Sequence, residues 1–243
     1  MRALILAVAI VVASPAAAQQ AVDLELVLAA DGSGSIDDAE LAFQRDGYAR
    51  AITSPLVLDA ILSGYNRRIA IAYVEWGGAD SQEIIVDWTL VDGPDTAAKF
   101  ANSLRSRPRA AWGWNSISNA IAFGQRMIET NDFEGFRKII DVSADAGQFG
   151  GMPLPLARAE ALAAGITING LAILRAGSGR PGLGGASLEA FFEYQVIGGF
   201  GAFVITADSE TSFAEAVRNK LLLEIAAGPH NTPTGQQQAA RAD

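Results

Sequence analysis

The sequence encodes an α/β domain: a doubly wound, mostly parallel six-stranded sheet with one antiparallel edge strand and helices on both faces. Two observations predict it. Apolar runs of strand length alternate with stretches of helical periodicity along most of the chain. Strands separated by helices pair in parallel, because each crossover helix carries the chain back to the same end of the sheet. The second observation is a local exception. Residues 68–75 and 83–90 both read as strands, and Gly77-Gly78-Ala79-Asp80 is too short for a helical crossover. Those two strands are therefore expected to form an antiparallel hairpin at a sheet edge.

Taken in order, residues 24–30 are mostly apolar and suit a buried parallel strand. Asp31-Gly32-Ser33-Gly34-Ser35 follows as a turn. Ser35 is expected to cap the next helix, with Asp37 and Asp38 in its first turn. Leu41, Tyr48 and Ile52 recur at helical spacing, and Ser54-Pro55 interrupts that helix. Residues 68–75 form the second strand. In 83–90, Ile84, Val86, Trp88 and Leu90 alternate with Ile85, Asp87 and Thr89, as in a half-exposed strand. Residues 96–104 and 116–129 read as helices, 137–144 as a strand, and 153–164 as a helix opened by Pro153. A strand over 166–173, a short helix over 187–194, a short strand over 202–206 and a helix over 209–225 complete the pattern.

Composition narrows the function. The 243 residues, 50% of them hydrophobic, suit one globular domain with a full core. Lys and Arg total 18 against 27 Asp and Glu, a net charge of -9, which disfavours nucleic acid as a partner and leaves carboxylates for a hard cation. With no cysteine, disulfides, thiolate catalysis and thiolate metal sites are excluded. The one histidine, His230, lies in a polar stretch, so a serine–histidine triad or a histidine zinc site is hard to build. Arg2, a short apolar run and Ala16-Ala17-Ala18 form a signal-peptide pattern. Residues 1–18 are accordingly expected to be a signal peptide, 19–227 the domain and 228–243 a disordered tail. The protein is expected to be periplasmic or secreted, with no membrane span after signal cleavage, since a span needs ~20 apolar residues.

In doubly wound sheets, ligands bind beyond the carboxyl ends of the strands, near the switch in strand order. Three segments bring oxygen donors to that edge: Asp31, Ser33 and Ser35 after the first strand, Asn115 and Ser116 before a helix, and Asp145 after the strand at 137–144. Carboxylates, hydroxyls and an amide carbonyl make a hard set, which suits Mg²⁺ (or Mn²⁺ or Ca²⁺), one ion. A strand-to-helix turn with an N-cap is the simpler reading of Asp31–Ser35, and an N-cap that of Asn115.

The run Asp31-Gly32-Ser33-Gly34-Ser35 after an apolar strand resembles the metal-ion-dependent adhesion site of von Willebrand factor type A domains. The strand–helix order with its early hairpin matches over nearly the whole mature chain. Tyr73-Val74-Glu75-Trp76, Trp88 to Pro94, Ile140-Asp141-Val142-Ser143, Gly165 to Leu171 and Val196-Ile197-Gly198-Gly199 are similar to a secreted bacterial branch catalogued as a domain of unknown function. The resemblance implies that Asp31, Ser33 and Ser35 hold a metal with Asp145 from a third loop. It places Asn115 where the family has a second-loop threonine, with Ser116 adjacent as a substitute. It also implies a partner whose Asp or Glu completes the coordination.

Three functions compete on this reading. The first is a protein-binding module, not an enzyme, that captures a partner's carboxylate through the metal. The second is a metal-dependent hydrolase or phosphotransferase with Asp31 as nucleophile; the Asp-x-Asp fingerprint of aspartate phosphatases is missing. The third is a metal-free structural domain, suggested by Asn115. Asp141, mid-strand, reads as a structural carboxylate. Glu75 and Trp76 read as strand-end packing, with a partner-facing rim as the minority view. Trp112 and Trp114 suit either an interface or the core. Residues 176–185, rich in glycine, read as a flexible loop beside the site.

Overall fold

A computed structural model describes residues 19–174, 187–208 and 210–226. The expected signal peptide (1–18), the glycine-rich stretch (176–185) and the expected tail (228–243, with His230) lie outside the described residues. Six strands form one sheet: β1 (Gln20–Asp31), β2 (Ile69–Trp76), β3 (Gln82–Val91), β4 (Phe133–Ala144), β5 (Thr167–Ile173) and β6 (Val204–Ala207). The helices are α1 (Asp38–Ile52), α2 (Pro55–Leu62), α3 (Pro94–Ser106), α4 (Ile117–Glu129), α5 (Leu154–Ala163), α6 (Leu188–Phe191) and α7 (Glu210–Ala226). The strand order is β3-β2-β1-β4-β5-β6, and only β2 with β3 is antiparallel. The doubly wound sheet with an antiparallel edge is thus the fold that the sequence predicts.

The alternation of side chains along the strands builds two cores. Leu24, Leu26 and Leu28 of β1 face one way, against Tyr48, Ile52, Phe100, Val217 and Leu221 of α1, α3 and α7. Val27 and Ala29 face the other way, against Ile117 and Ile121 of α4 and Ala157 and Ala161 of α5. Every β2 residue is buried, as a central strand covered on both faces requires.

Several boundaries differ from expectation. β4 starts at Phe133, four residues early, because Phe133, Glu134 and Gly135 pair with Gln20, Ala21 and Val22 of β1, and Glu25 Oε1 accepts from Gly135 N at 2.7 Å. That partner is remote in sequence, so nothing local announces it. In β3 the pairing slips between Ile71 and Tyr73. The bulge breaks the strict alternation: Ile85 and Val86 are both buried while Ile84 is exposed. The cap of α1 is Asp37, not Ser35. Asp37 accepts from Glu40 N and Glu40 accepts from Asp37 N, each at 2.8 Å, a complete capping box. Ser35 is left for another task. Ser54 caps a separate helix, α2, opened by Pro55, and α6 continues as a π-turn over Phe192–Val196.

Candidate functional site

The chain leaves β1 for β2 on one side and later returns to β4 on the other, so the carboxyl ends of β1 and β4 are the switch in strand order. Asp31 is the last residue of β1, and Asp145 is the first after β4. Backbone bonds fix the first loop: Gly32 N donates to Trp76 O at 2.8 Å and Ile36 N to Ser33 O at 3.0 Å. Within it, Asp31 Oδ1 accepts from Ser33 N at 2.8 Å. Ser33 Oγ lies 3.0 Å from Ser35 Oγ, and Ser35 Oγ donates to Asp145 Oδ1 at 3.0 Å. Asn115 Nδ2 lies 3.5 Å from Asp31 Oδ2. The five residues singled out in the sequence therefore share one site. Asp31, Ser33, Asn115 and Asp145 are buried, and Ser35 is at the surface.

Ser116 is drawn elsewhere. Its Oγ donates to Asn119 Oδ1 at 2.9 Å, and it occupies the N-cap position of α4. It thus serves the start of α4, and Asn115 alone of the two points at Asp31. Glu75 and Trp76 are fully buried, which settles them as packing. Glu75 Oε1 accepts from Arg45 Nε at 2.7 Å, and Arg45 reaches on to the carbonyls of Arg107 and of Pro108.

The second and third loops are bound to the first and to each other. Gly34 N donates to Gly113 O at 2.9 Å, Gly78 N to Trp112 O at 2.8 Å, Ser116 N to Gly77 O at 2.8 Å and Phe149 N to Asn115 O at 2.6 Å. Gln148 closes the third loop against α4: its Oε1 accepts from Ser118 N at 2.9 Å and its Nε2 donates to Ser118 Oγ at 2.8 Å. Arg109 spans the first loop, donating to Gly32 O at 2.9 Å, Ile36 O at 2.5 Å and Asp38 Oδ1 at 2.8 Å. Sequence reasoning singled out neither Arg45 nor Arg109, and marked Gln148 only as part of a third loop, Gly147-Gln148-Phe149, that departs from the family's more polar one. Each acts through contacts 30 or more residues away in the chain, and no local pattern marks them.

Gly113 sets the geometry of the second loop. Its φ of 102° is a backbone that side chains disfavour, and a Cβ there meets Gly78 N at 2.9 Å. Gly113→Ala is expected to destabilise the protein by about 2 kcal/mol, measured as a lowered midpoint in urea unfolding; an unchanged midpoint refutes the strain.

Electrostatics make this a strained pair of carboxylates. Burial, and then the neighbouring charge of Asp145, push the Asp31 carboxyl up from 3.8 to about 7. Hydrogen bonds from Ser33 pull the other way without offsetting them. Among the described residues no three His, Cys, Asp or Glu side chains gather as a metal site. The donor set here is instead two carboxylates, two hydroxyls and an amide. A divalent cation fits such a set, since it relieves the repulsion between buried carboxylates and takes oxygen ligands.

A family model described as "Protein of unknown function (DUF1194)" matches residues 21–229. The chain belongs to the DUF1194 family. Solved structures with the same architecture are von Willebrand factor type A domains, and the DUF1194 chain has that fold. It is similar to the pilus adhesin SpaC from Lactobacillus rhamnosus GG, at 13% identity and a TM-score of 0.61, over 85% of this chain and 31% of that one. Proximal thread matrix protein 1 from the mussel byssus, with a zinc-occupied MIDAS motif, gives 16% and 0.59, over 86% and 49%. The von Willebrand domain of the type V pili tip protein Mfa5 from Porphyromonas gingivalis gives 12% and 0.53, over 82% and 94%. The DUF1194 chain spans 31% and 49% of the first two of these chains. No curated protein matches it. Among the described residues no helix is long and apolar enough to cross a membrane.

Proposed function

We propose that this chain is a binding module, periplasmic or secreted and not an enzyme, that holds one divalent ion through Asp31, Ser33, Ser35, Asp145 and Asn115. The ion is Mg²⁺, with Mn²⁺ and Ca²⁺ as alternatives. It presents an open position to the carboxylate of an Asp or Glu on a protein partner. Residues 1–18 are the signal peptide, 19–227 the domain and 228–243 a tail. The observation that carries this reading is the convergence of buried Asp31 and Asp145 with the hydroxyls of Ser33 and Ser35, chained at 3.0 Å. Two neighbouring carboxylates held out of water, with one of them pushed up to about 7, are the electrostatics of a cation site. The zinc-occupied MIDAS motif of the mussel protein supports the choice of a divalent metal.

A second reading, a metal-free structural domain, draws on Asn115. Its amide nitrogen faces Asp31 Oδ2 at 3.5 Å and can stand where a cation otherwise would. One calorimetric titration with Mg²⁺, Mn²⁺ and Ca²⁺ separates the two. Under the proposal wild type releases or absorbs heat at one site and its melting temperature rises with metal, and Asp31→Ala shows neither. A wild type silent to all three ions is the metal-free domain. In the same titration Asn115→Thr is expected to tighten Mg²⁺ binding, because a hydroxyl replaces a bulkier amide that competes for Asp31. Weaker binding by that variant identifies Asn115 as a good ligand in its own right.

A further inference from the structure

The loops that carry Asn115 and Asp145 also carry three large aromatic rings turned to solvent. Trp112 is 59% exposed, Trp114 72% and Phe149 62%. Trp114 and Phe149 lie with ring centroids 5.5 Å apart, bridging the second and third loops. Trp112 lies under the Arg109 guanidinium at 4.9 Å. Exposing rings of this size costs solvation free energy, and large apolar groups left on a surface mark places that bind.

The loops that carry these rings are tied down through their backbone. Trp112 N donates to Ser81 Oγ at 2.9 Å and Trp112 O accepts from Gly78 N. Gly113 O accepts from Gly34 N, and Phe149 N donates to Asn115 O. A partner therefore meets a preformed face and loses little free energy to ordering it.

The charges narrow the occupant. The loops at 31–38, 77–81, 109–116 and 145–152 contain five aspartates and one basic residue, Arg109. Arg109 is spent on Asp38, Gly32 O and Ile36 O. In the proposed site a divalent ion balances Asp31 and Asp145, while Asp37 in the first loop and Asp80 in the β2–β3 loop are exposed. One incoming carboxylate finds the ion; a second finds only like charge.

We infer that the partner presents a single acidic residue flanked by flat apolar residues, an aromatic ring or a proline, which lie against Trp114 and Phe149 while the carboxylate meets the metal. This rests on the metal reading above and adds the neighbours of the carboxylate to it. Flat, stiff side chains suit stacking against two rings, and central aromatic contacts carry much of the energy in protein interfaces.

The test uses the full chain in Mg²⁺ with three peptides, each acetylated and amidated so that only side chains carry charge. Their sequences are Gly-Trp-Asp-Pro-Gly, Gly-Gly-Asp-Gly-Gly and Gly-Asp-Asp-Asp-Gly. The expected order by calorimetry places the first about tenfold tighter than the second, and the third no tighter than the second. A Trp114→Ala and Phe149→Ala double variant, checked by its unchanged melting temperature, is expected to erase that preference and keep Mg²⁺ binding. Equal affinities, a preference that survives the double variant, or tightest binding of the triple acid overturns the inference and leaves the metal reading standing. So does Mg²⁺ binding with no peptide bound, including the case where a glycan array is bound through Trp114 instead. Absence of Mg²⁺ binding by wild type overturns the metal reading and this inference with it.

Discussion

Lys220→Met, distant from the candidate site, is expected to destabilise the protein by about 3–5 kcal/mol. Lys220 on α7 is 1% exposed and lies between two carboxylates, with Nζ 3.0 Å from Asp141 Oδ1 and 2.5 Å from Glu224 Oε1. Asn169 of β5 donates to the same Glu224 oxygen at 2.9 Å. The cluster ties α7 to the centre of the sheet, and Phe203 stacks on the ammonium at 4.8 Å. Removing Lys220 takes away the cation that pairs with both buried acids and leaves only Arg137 acting on Glu224, and a lost partner costs far more than the pair itself contributes. Protonation relieves the defect. Burial pushes the Asp141 carboxyl up to about 7 against the pull of Lys220, and loss of Lys220 removes that pull. The variant is therefore expected to be more damaged at pH 8 than at pH 5. Urea unfolding followed by circular dichroism at both pH values measures this. Adding Asp141→Asn and Glu224→Gln to Lys220→Met is expected to restore much of the loss. Equal destabilisation at the two pH values, with no restoration, assigns the effect to packing alone.

Asp31→Asn is expected to have the opposite sign. Without metal at pH 8, this variant is predicted to be more stable than wild type by about 2–4 kcal/mol. The sign follows from linkage. The folded-state pKa of Asp31 is raised from 3.8 to about 7, chiefly by burial and next by Asp145. The folded protein therefore binds more protons than the unfolded chain between those values. Its stability falls as pH rises through that window, and the deficit is fully developed above pH 7. Below pH 4 the two proteins are expected to converge. Asparagine is uncharged, and its carbonyl oxygen can keep the bond from Ser33 N that Asp31 Oδ1 accepts at 2.8 Å. Under the proposed metal reading Mg²⁺ reverses the ranking: an ion at about a thousandfold excess over its Kd stabilises the protein that binds it by about 4.1 kcal/mol, and the variant lacks one of the proposed ligands. Melting curves of both proteins at pH 5 and 8, with and without Mg²⁺, test all four corners. A variant less stable than wild type at pH 8 without metal refutes the account of Asp31 as a strained charge.

Much of this was open to a reading of the chain alone. The strand and helix order, the antiparallel hairpin and the candidate ligands Asp31, Ser33, Ser35 and Asp145 are local patterns: apolar runs, periodicities, and turns at strand ends. Asn115 stood out as a departure from the family's threonine, and the fold confirms that it faces Asp31. The tertiary structure decided the rest. Ser35 forgoes the helix cap for Asp145, a choice available only once β1 and β4 lie side by side. Trp76, at the end of β2, is buried and Trp114 exposed, though each adjoins a glycine in the sequence, because burial depends on what packs above a residue. The Lys220 cluster joins residues from β4, β5 and α7, and Arg109 and Arg45 hold loops far from them in sequence. Charge pairing and burial are properties of neighbours across the chain. Periodicity reports which face a side chain takes; it carries no information about the partner it meets there.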